Sequence, residues 1–271
     1  MEIEHMCVTC GALYPASSEP PDECRICAEP RQYIGLGGQR WTTLEDLRRT
    51  HWNTLRREEP GLISIGIEPK FAIGQRALLV RTPEGNVLWD CIPLLDEALA
   101  EAIEALGGLR AVAISHPHYY TAMSEWSRRF SCPVLLHAAD RQWVTRPFDR
   151  IEFWEGSART LPGGLTLIHC GGHFEGGTVL HWPDGAEGRG VLLTGDILQV
   201  VPDRRWVSFM YSYPNYIPLP ASTVEAIVAT VEPWPFERIY GAFWNMHILT
   251  DAHAAVRASA DRYRRALRGE L

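Results

Sequence analysis

Three segments carrying metal-ligand residue types follow one another along the chain, each placed where a short apolar run ends. Ala111-Val-Ala-Ile-Ser115 runs into His116-Pro-His118, the apolar residues 165–168 lead to Cys170-Gly-Gly-His173, and Val191-Leu-Leu-Thr-Gly leads to Asp196. Apolar runs this short, bounded by turn residues, read as buried strands. The imidazoles and the carboxylate therefore emerge at strand ends. An H-x-H pair in a turn aims two rings at one point, and the glycines beside His173 permit a close backbone approach. Three imidazoles and one carboxylate are a donor set for zinc or iron. Any fold for this chain has to gather three sheet-end loops at one place.

A second donor set lies near the N-terminus. Of seven cysteines, four form two C-x2-C knuckles, Cys7-Val-Thr-Cys10 and Cys24-Arg-Ile-Cys27. Each knuckle presents two thiolates from a tight turn, and two knuckles complete a tetrahedral shell. The intervening residues 11–23 read as loop and cannot build a core, so a bound ion would supply most of the folding energy. Two disulfides are the competing reading, which a reducing cytosol opposes. We expect structural zinc here, with a rubredoxin-like iron site as the alternative. A closed four-thiolate shell has no open position for catalysis. Cys91, Cys132 and Cys170 stand alone in apolar runs and read as small buried hydrophobes, Cys170 lying three residues before His173.

The four-cysteine module is taken as residues 1–38, ending in the glycine-rich segment Gly35-Leu-Gly-Gly38, read as a linker. Residues 39–271 form the second domain. Thr42 and Glu45 suggest a capping box that opens a helix running to about Arg57. Residues 76–81 and 86–90 flank Pro83-Glu-Gly85 as a hairpin. Leu95, Leu99, Ala102, Ile103 and Leu106 mark a helix that stops at Gly107 and Gly108. A helix is expected over 120–130, strands over 134–137, 178–181 and 237–241, and helices over 222–231 and 257–267. Hairpins followed by alternating strands and helices imply two sheets covered by helices.

With Ser115-His-Pro-His-Tyr-Tyr-Thr121, Gly172-His173 and Thr194-Gly-Asp196 in this order, the chain from about Glu59 onward resembles the metallo-β-lactamase fold superfamily. The resemblance implies an α/β fold, an αββα four-layer sandwich with its site along one edge, here carrying a small N-terminal zinc ribbon. Its members are mostly hydrolases of esters, thioesters, lactams, lactones or phosphodiesters, with an iron branch that does redox chemistry. The departures are informative. Where the superfamily motif H-x-H-x-D-H has its aspartate and last histidine, this chain has Tyr120 and Thr121. The later family histidine after a strand-ending glycine is replaced by Ala242, following Tyr240-Gly241. Those three residues build most of the second metal site, so the resemblance implies one ion, zinc or iron, on His116, His118 and His173 with Asp196 nearby.

In this reading three neutral imidazoles leave a position for a water of lowered pKa. Asp196 is a weak ligand that also orients that water. Tyr120, if it faces the cavity, donates its phenol to a developing oxyanion; otherwise it packs at a helix start. His247 is either a replacement ligand or a loop histidine, and His137 either lines the cavity or does not. His169, His181 and His253 read as satisfied or exposed imidazoles. The aromatic segment 206–216 either roofs the cleft over an apolar substrate or packs the core or a dimer contact. Arg204 and Arg205 before it are candidates for a substrate carboxylate, and the arginines of 257–268 read as a solvated helix face.

Composition restricts the partners. The formal charge of −7, from 26 basic and 33 acidic side chains, disfavours nucleic-acid coating. No apolar run approaches the roughly 18 residues of a membrane span, and residues 1–10 lack a signal pattern, so a cytoplasmic location is expected. The expected partner is a small-molecule substrate, with no nucleic acid and no membrane; homo-oligomerisation is left open. The functional expectation is a mononuclear metal-dependent hydrolase of an ester, lactone or thioester-like bond. A binding protein with a vestigial site and a mononuclear iron redox enzyme are the alternatives.

Overall fold

The computed structural model describes residues 2–271. Two sheets stack face to face. The first has seven strands in the order Ile151–Trp154, Val134–His137, Ala111–Ala113, Gly85–Trp89, Ala77–Thr82, Leu62–Glu68 and Trp52–Glu59. The second has six, in the order Ala158–Thr160, Thr166–His169, Thr178–Trp182, Val191–Leu193, Arg238–Tyr240 and His247–Ile248.

The period-2 alternation of side chains along a strand explains the layers. Leu78, Val80, Val87 and Trp89 point between the sheets, where they meet Leu167, Leu180, Val191 and Leu193. Their sequence neighbours Leu79 and Leu88, with Val112 and Leu136 on the next two strands, point outward to a second core, under helices Glu97–Ala105 and Met123–Phe130. On the far side, Ile168, Val179, Leu192 and Ile239 pack beneath helices Ala221–Val231 and Ala252–Leu267. The result is the αββα sandwich. No helix among the described residues is long and apolar enough to cross a membrane.

The region before residue 70 departs from expectation. The first helix is only Leu44–Thr50, capped by Thr43, whose side chain accepts from the Asp46 amide. Residues expected to continue it form the strand Trp52–Glu59, which pairs in antiparallel register with Leu62–Glu68, a strand absent from the expectation. An Arg/Glu-rich run carries helical propensity, but the hairpin at Pro60-Gly61 gives its backbone a partner, and tertiary pairing overrides a weak local preference. The helix expected from Tyr120 begins at Met123, after a 3-10 turn Pro117–Tyr119.

The N-terminal module is a three-stranded sheet of Leu13–Ser17, Ile3–Cys7 and Trp41–Thr42. It packs against the sandwich: the Leu13 amide donates to the Thr121 carbonyl at 3.2 Å, and the Thr145 hydroxyl donates to the Leu13 carbonyl at 2.9 Å. Arg31, only 6% exposed, lies over the Phe174 and Tyr211 rings and donates to Glu175 at 2.8 Å.

Candidate metal centre

Three loops at one edge of the sandwich deliver the four donors. His116 and His118 follow strand Ala111–Ala113, His173 sits in the glycine turn before strand Thr178–Trp182, and Asp196 follows strand Val191–Leu193. One ligand atom from each comes within 4.8 Å of every other, and all four residues are buried. Gly195 makes the junction possible. Its φ is +52°, and a Cβ there would lie 2.4 Å from Ser115 Oγ.

The hydrogen bonds orient the rings. His173 Nδ1 donates to the Met210 carbonyl at 3.0 Å, which leaves the Nε2 lone pair directed at His118 Nδ1, 3.3 Å away. His116 Nδ1 pairs with Ser115 Oγ at 2.9 Å. Its Nε2 is buried, has no hydrogen-bond partner, and lies 3.7 Å from Asp196 Oδ2. Ring atoms with lone pairs converging at such distances, with His116 Nε2 and His118 Nε2 both without a hydrogen-bond partner among the described residues, fit a cation rather than each other.

Electrostatics agree with that fit. Burial pushes the His116 and His118 pKa values well below the usual imidazole value, and that of His173 to about 4. All three are therefore neutral and able to ligate at pH 7. Burial also raises Asp196 to about 7, with the Tyr119 phenol opposing the shift. Asp90, absent from the sequence-based candidates, accepts from the Ser115 amide at 2.8 Å and is likewise raised to about 7 by burial.

The neighbouring positions separate clearly. Tyr120 is 2% exposed and packs in the outer apolar core with Met123 and Trp126, away from the cavity. Of its two expected placements it takes the packed one, and Tyr119, a member of the same core cluster, is the phenol whose ring reaches His116. Tyr119 stacks edge-on against His116 with centroids 4.4 Å apart, and its buried hydroxyl lies beside the Asp196 carboxyl without a closed hydrogen bond. No spacing rule marked Tyr119, since it occupies the variable position of the motif. Ala242 belongs to the same apolar core as Tyr120. His247 pairs in register with Tyr240 and stands outside the donor cluster. His137 stacks on His169 at 3.7 Å, also outside it.

The donors open into a cavity of about 230 Å³, lined by His118, His173 and Asp196, by Tyr213 from the aromatic segment, and by Thr9 from the first cysteine knuckle. The aromatic segment divides its duties. Tyr213 donates to the Asp196 and Ser208 carbonyls at 3.2 and 2.8 Å, Phe209 is fully buried in the core and Tyr216 is 84% exposed.

The second donor cluster comprises Cys7, Cys10, Cys24 and Cys27. Cys7 and Cys27 sulfurs lie 3.7 Å apart, as do those of Cys10 and Cys24. That is too long for a disulfide, and near the ~3.8 Å edge of a tetrahedron with ~2.3 Å metal–sulfur bonds. Gln39 Nε2 donates to Cys7 Sγ at 3.3 Å and the Tyr14 hydroxyl to Cys24 Sγ at 3.4 Å, donors that favour thiolates.

No protein-family model matches the chain. Solved structures with the same fold include a B3 metallo-β-lactamase with an active-site glutamic acid, at 15% identity and TM-score 0.54, covering 85% of this chain and 95% of that one. The metallo-β-lactamase SMB-1 in complex with mercaptoacetic acid matches at 18% identity and TM-score 0.53, over 78% and 93% of the two chains. VMB-1 matches at 12% identity and TM-score 0.58, over 79% and 98%. In sequence the chain is 51% identical over 269 residues to the uncharacterized protein YmaE of Bacillus subtilis, spanning 98% of each. With the sandwich and its edge-on His/Asp cluster in place, this chain has the metallo-β-lactamase fold and belongs to the family of YmaE.

Proposed function

We propose that the protein is a metal-dependent hydrolase that holds one ion on His116, His118, His173 and Asp196 and cleaves an ester, lactone or thioester-like bond in a small substrate. The observation that carries this reading is the convergence of four buried donors within 4.8 Å at the floor of a cavity open to ligand. An ion there would polarise a substrate carbonyl and acidify a water toward neutrality.

The chain's own residues supply the rest. Asp196 faces the three imidazoles from the cavity wall, placed to ligate the ion weakly and to orient an attacking water. Burial and the Asp196 charge hold the Tyr119 phenol well above its usual pKa, so it stays protonated as a donor toward developing oxyanion charge. Met210 and Ser115 fix the ring orientations of His173 and His116. Occupancy by a single ion is supported by the burial of Tyr120 and Ala242 in the apolar core, where neither offers a ligand. The four-cysteine cluster is assigned a structural zinc.

Metal analysis of protein made under zinc-replete conditions tests the proposal. Two equivalents are expected, one of them lost in His116→Ala/His118→Ala together with turnover of aryl ester and thioester panels. A double variant that keeps both equivalents and the turnover defeats the assignment; iron with dioxygen consumption redirects it to redox chemistry.

A further inference from the structure

The cavity at the donor cluster does not end there. A second cavity of about 510 Å³, reaching Gly35, Gly37, Gly38 and Arg40, shares Thr9, Tyr33, Lys70 and Ala72 with the first. The two are chambers of one cleft with Lys70 at the waist. Lys70 is the only lysine among 26 basic side chains. Neither it nor Arg40 joins an ion pair among the described residues, in a protein where most arginines do. Among the described residues, the wall of the outer chamber includes no acidic residue, and Asp196 is the one acid lining the inner chamber.

The position of Lys70 is built. Gly74 has φ +81°, and a Cβ there would stand 2.3 Å from Lys70 Cε and 2.9 Å from its Cδ. The aliphatic stem therefore lies in a notch that only glycine leaves open. Opposite, Gly35, Gly37 and Gly38 have nothing within 4 Å of where a Cβ would be, so a ligand can approach that backbone. The segment read as a linker is thus one wall of the cleft.

We propose that this cleft is an anion subsite: the substrate carries an acidic group, a carboxylate or a phosphate, held by Lys70 and Arg40, while its scissile bond reaches the His/Asp cluster. The inference rests on the hydrolytic reading of that cluster for its catalytic half, but the anion site stands on the cations and the cavity alone. A lysine recognises an anion as a point charge, and Arg40 adds a planar fork. A hydrogen bond to a charged group changes affinity by roughly ten- to a hundredfold when lost.

The single lysine makes the test clean. Protein loaded with zinc and labelled with 13C-lysine gives one side-chain signal, followed during titration with inorganic phosphate, acetate and neutral acetamide. Saturable shifts with the anions and none with acetamide are expected, and the tighter of the two anions identifies the acidic group. Arg40→Gln should weaken the binding about tenfold or more. Shifts that drift linearly as they do with chloride, or an affinity unchanged in Arg40→Gln, overturn the site. In a second measurement, Lys70→Gln should raise KM for an acid-tailed aryl ester at least tenfold and leave its neutral methyl-capped counterpart within twofold. Equal effects on both esters overturn the specificity role. If the unaltered protein cleaves neither ester, the hydrolase reading fails, while the lysine titration still decides the anion site.

Discussion

Replacing Gly195 by alanine tests whether the donor cluster is held by the crossing of two loops. Gly195 occupies the left-handed region at φ +52°, where an L-residue costs about 1–2 kcal/mol more than glycine. The new Cβ would stand 2.4 Å from Ser115 Oγ and 2.8 Å from Ser115 Cβ, a clash with a fully buried neighbour. Overpacking of this kind costs about 1–3 kcal/mol. Moving Ser115 also disturbs its bonds to His116 Nδ1 and Asp90 Oδ1, worth about 1 kcal/mol each. Together these amount to roughly 4–7 kcal/mol. Gly188→Ala is the internal control: φ is +82°, but nothing lies within 4 Å of its Cβ position, so only the backbone cost of about 1–2 kcal/mol applies. Urea unfolding of the two variants should therefore differ by roughly 3–5 kcal/mol. Because Ser115 orients a ligand, competition against a chelating indicator should show zinc affinity at the His/Asp cluster falling about 10–100-fold in Gly195→Ala alone. Equal destabilisation by the two variants, with unchanged zinc affinity, would refute the argument that this crossing positions His116 and Asp196.

Three further outcomes are expected. Tyr119→Phe should lower kcat on any turned-over ester by roughly 10²-fold, whereas Tyr120→Phe, altering a core-packed ring, should leave it within about twofold; the reverse order would restore Tyr120 to the site. Zinc affinity at the His/Asp cluster, followed by calorimetry, should climb as pH rises from 6 to 7 and level off above, because Asp196 titrates at about 7 and must lose its proton to ligate; a flat profile removes Asp196 from the ligand set. Asp140 is buried, accepts from the Gly176 amide at 2.9 Å and has its pKa raised to about 7, chiefly by burial. A folded-state pKa above the unfolded value of about 3.9 means that ionisation costs stability, fully so above pH 7 and not at all below about pH 4. Asp140→Asn should consequently be more stable than the parent at pH 8, by up to about 4 kcal/mol, and gain nothing at pH 4; a gain independent of pH in thermal melts would contradict this.

Much of the architecture was legible because it follows from periodicity. The strands around residues 78–80, 111–113, 167–168 and 191–193 are apolar on both faces, which is what a sheet buried between another sheet and helices requires. The stretch 52–68 was not legible. Its polar first half, Arg56-Arg57-Glu58-Glu59, has no strand signature and becomes one only through pairing with Leu62–Glu68 at the sheet edge. The donors His116, His118, His173 and Asp196 announced themselves by residue type at strand ends. Lys70 carried a signal of its own, as the single lysine of the chain, but its meaning depended on where the loop lay.

The identity of the donor atoms and the absence of second-site ligands at 120, 121 and 242 are properties of residue type, so they could be read from the order of letters alone. The choice of Tyr119 over Tyr120 as the phenol at the site, the entry of Asp90 beneath Ser115, and the seating of the cysteine module against the cleft belong to the folded chain. Each depends on a rotation or a contact across scores of residues: one 3-10 turn brings the Tyr119 ring against His116 while Tyr120 stays in the outer core, and the N-terminal module is seated beside the cavity by contacts such as those of Leu13 with the Thr121 carbonyl and the Thr145 hydroxyl. Local sequence encodes which groups are available; packing decides which of them face one another.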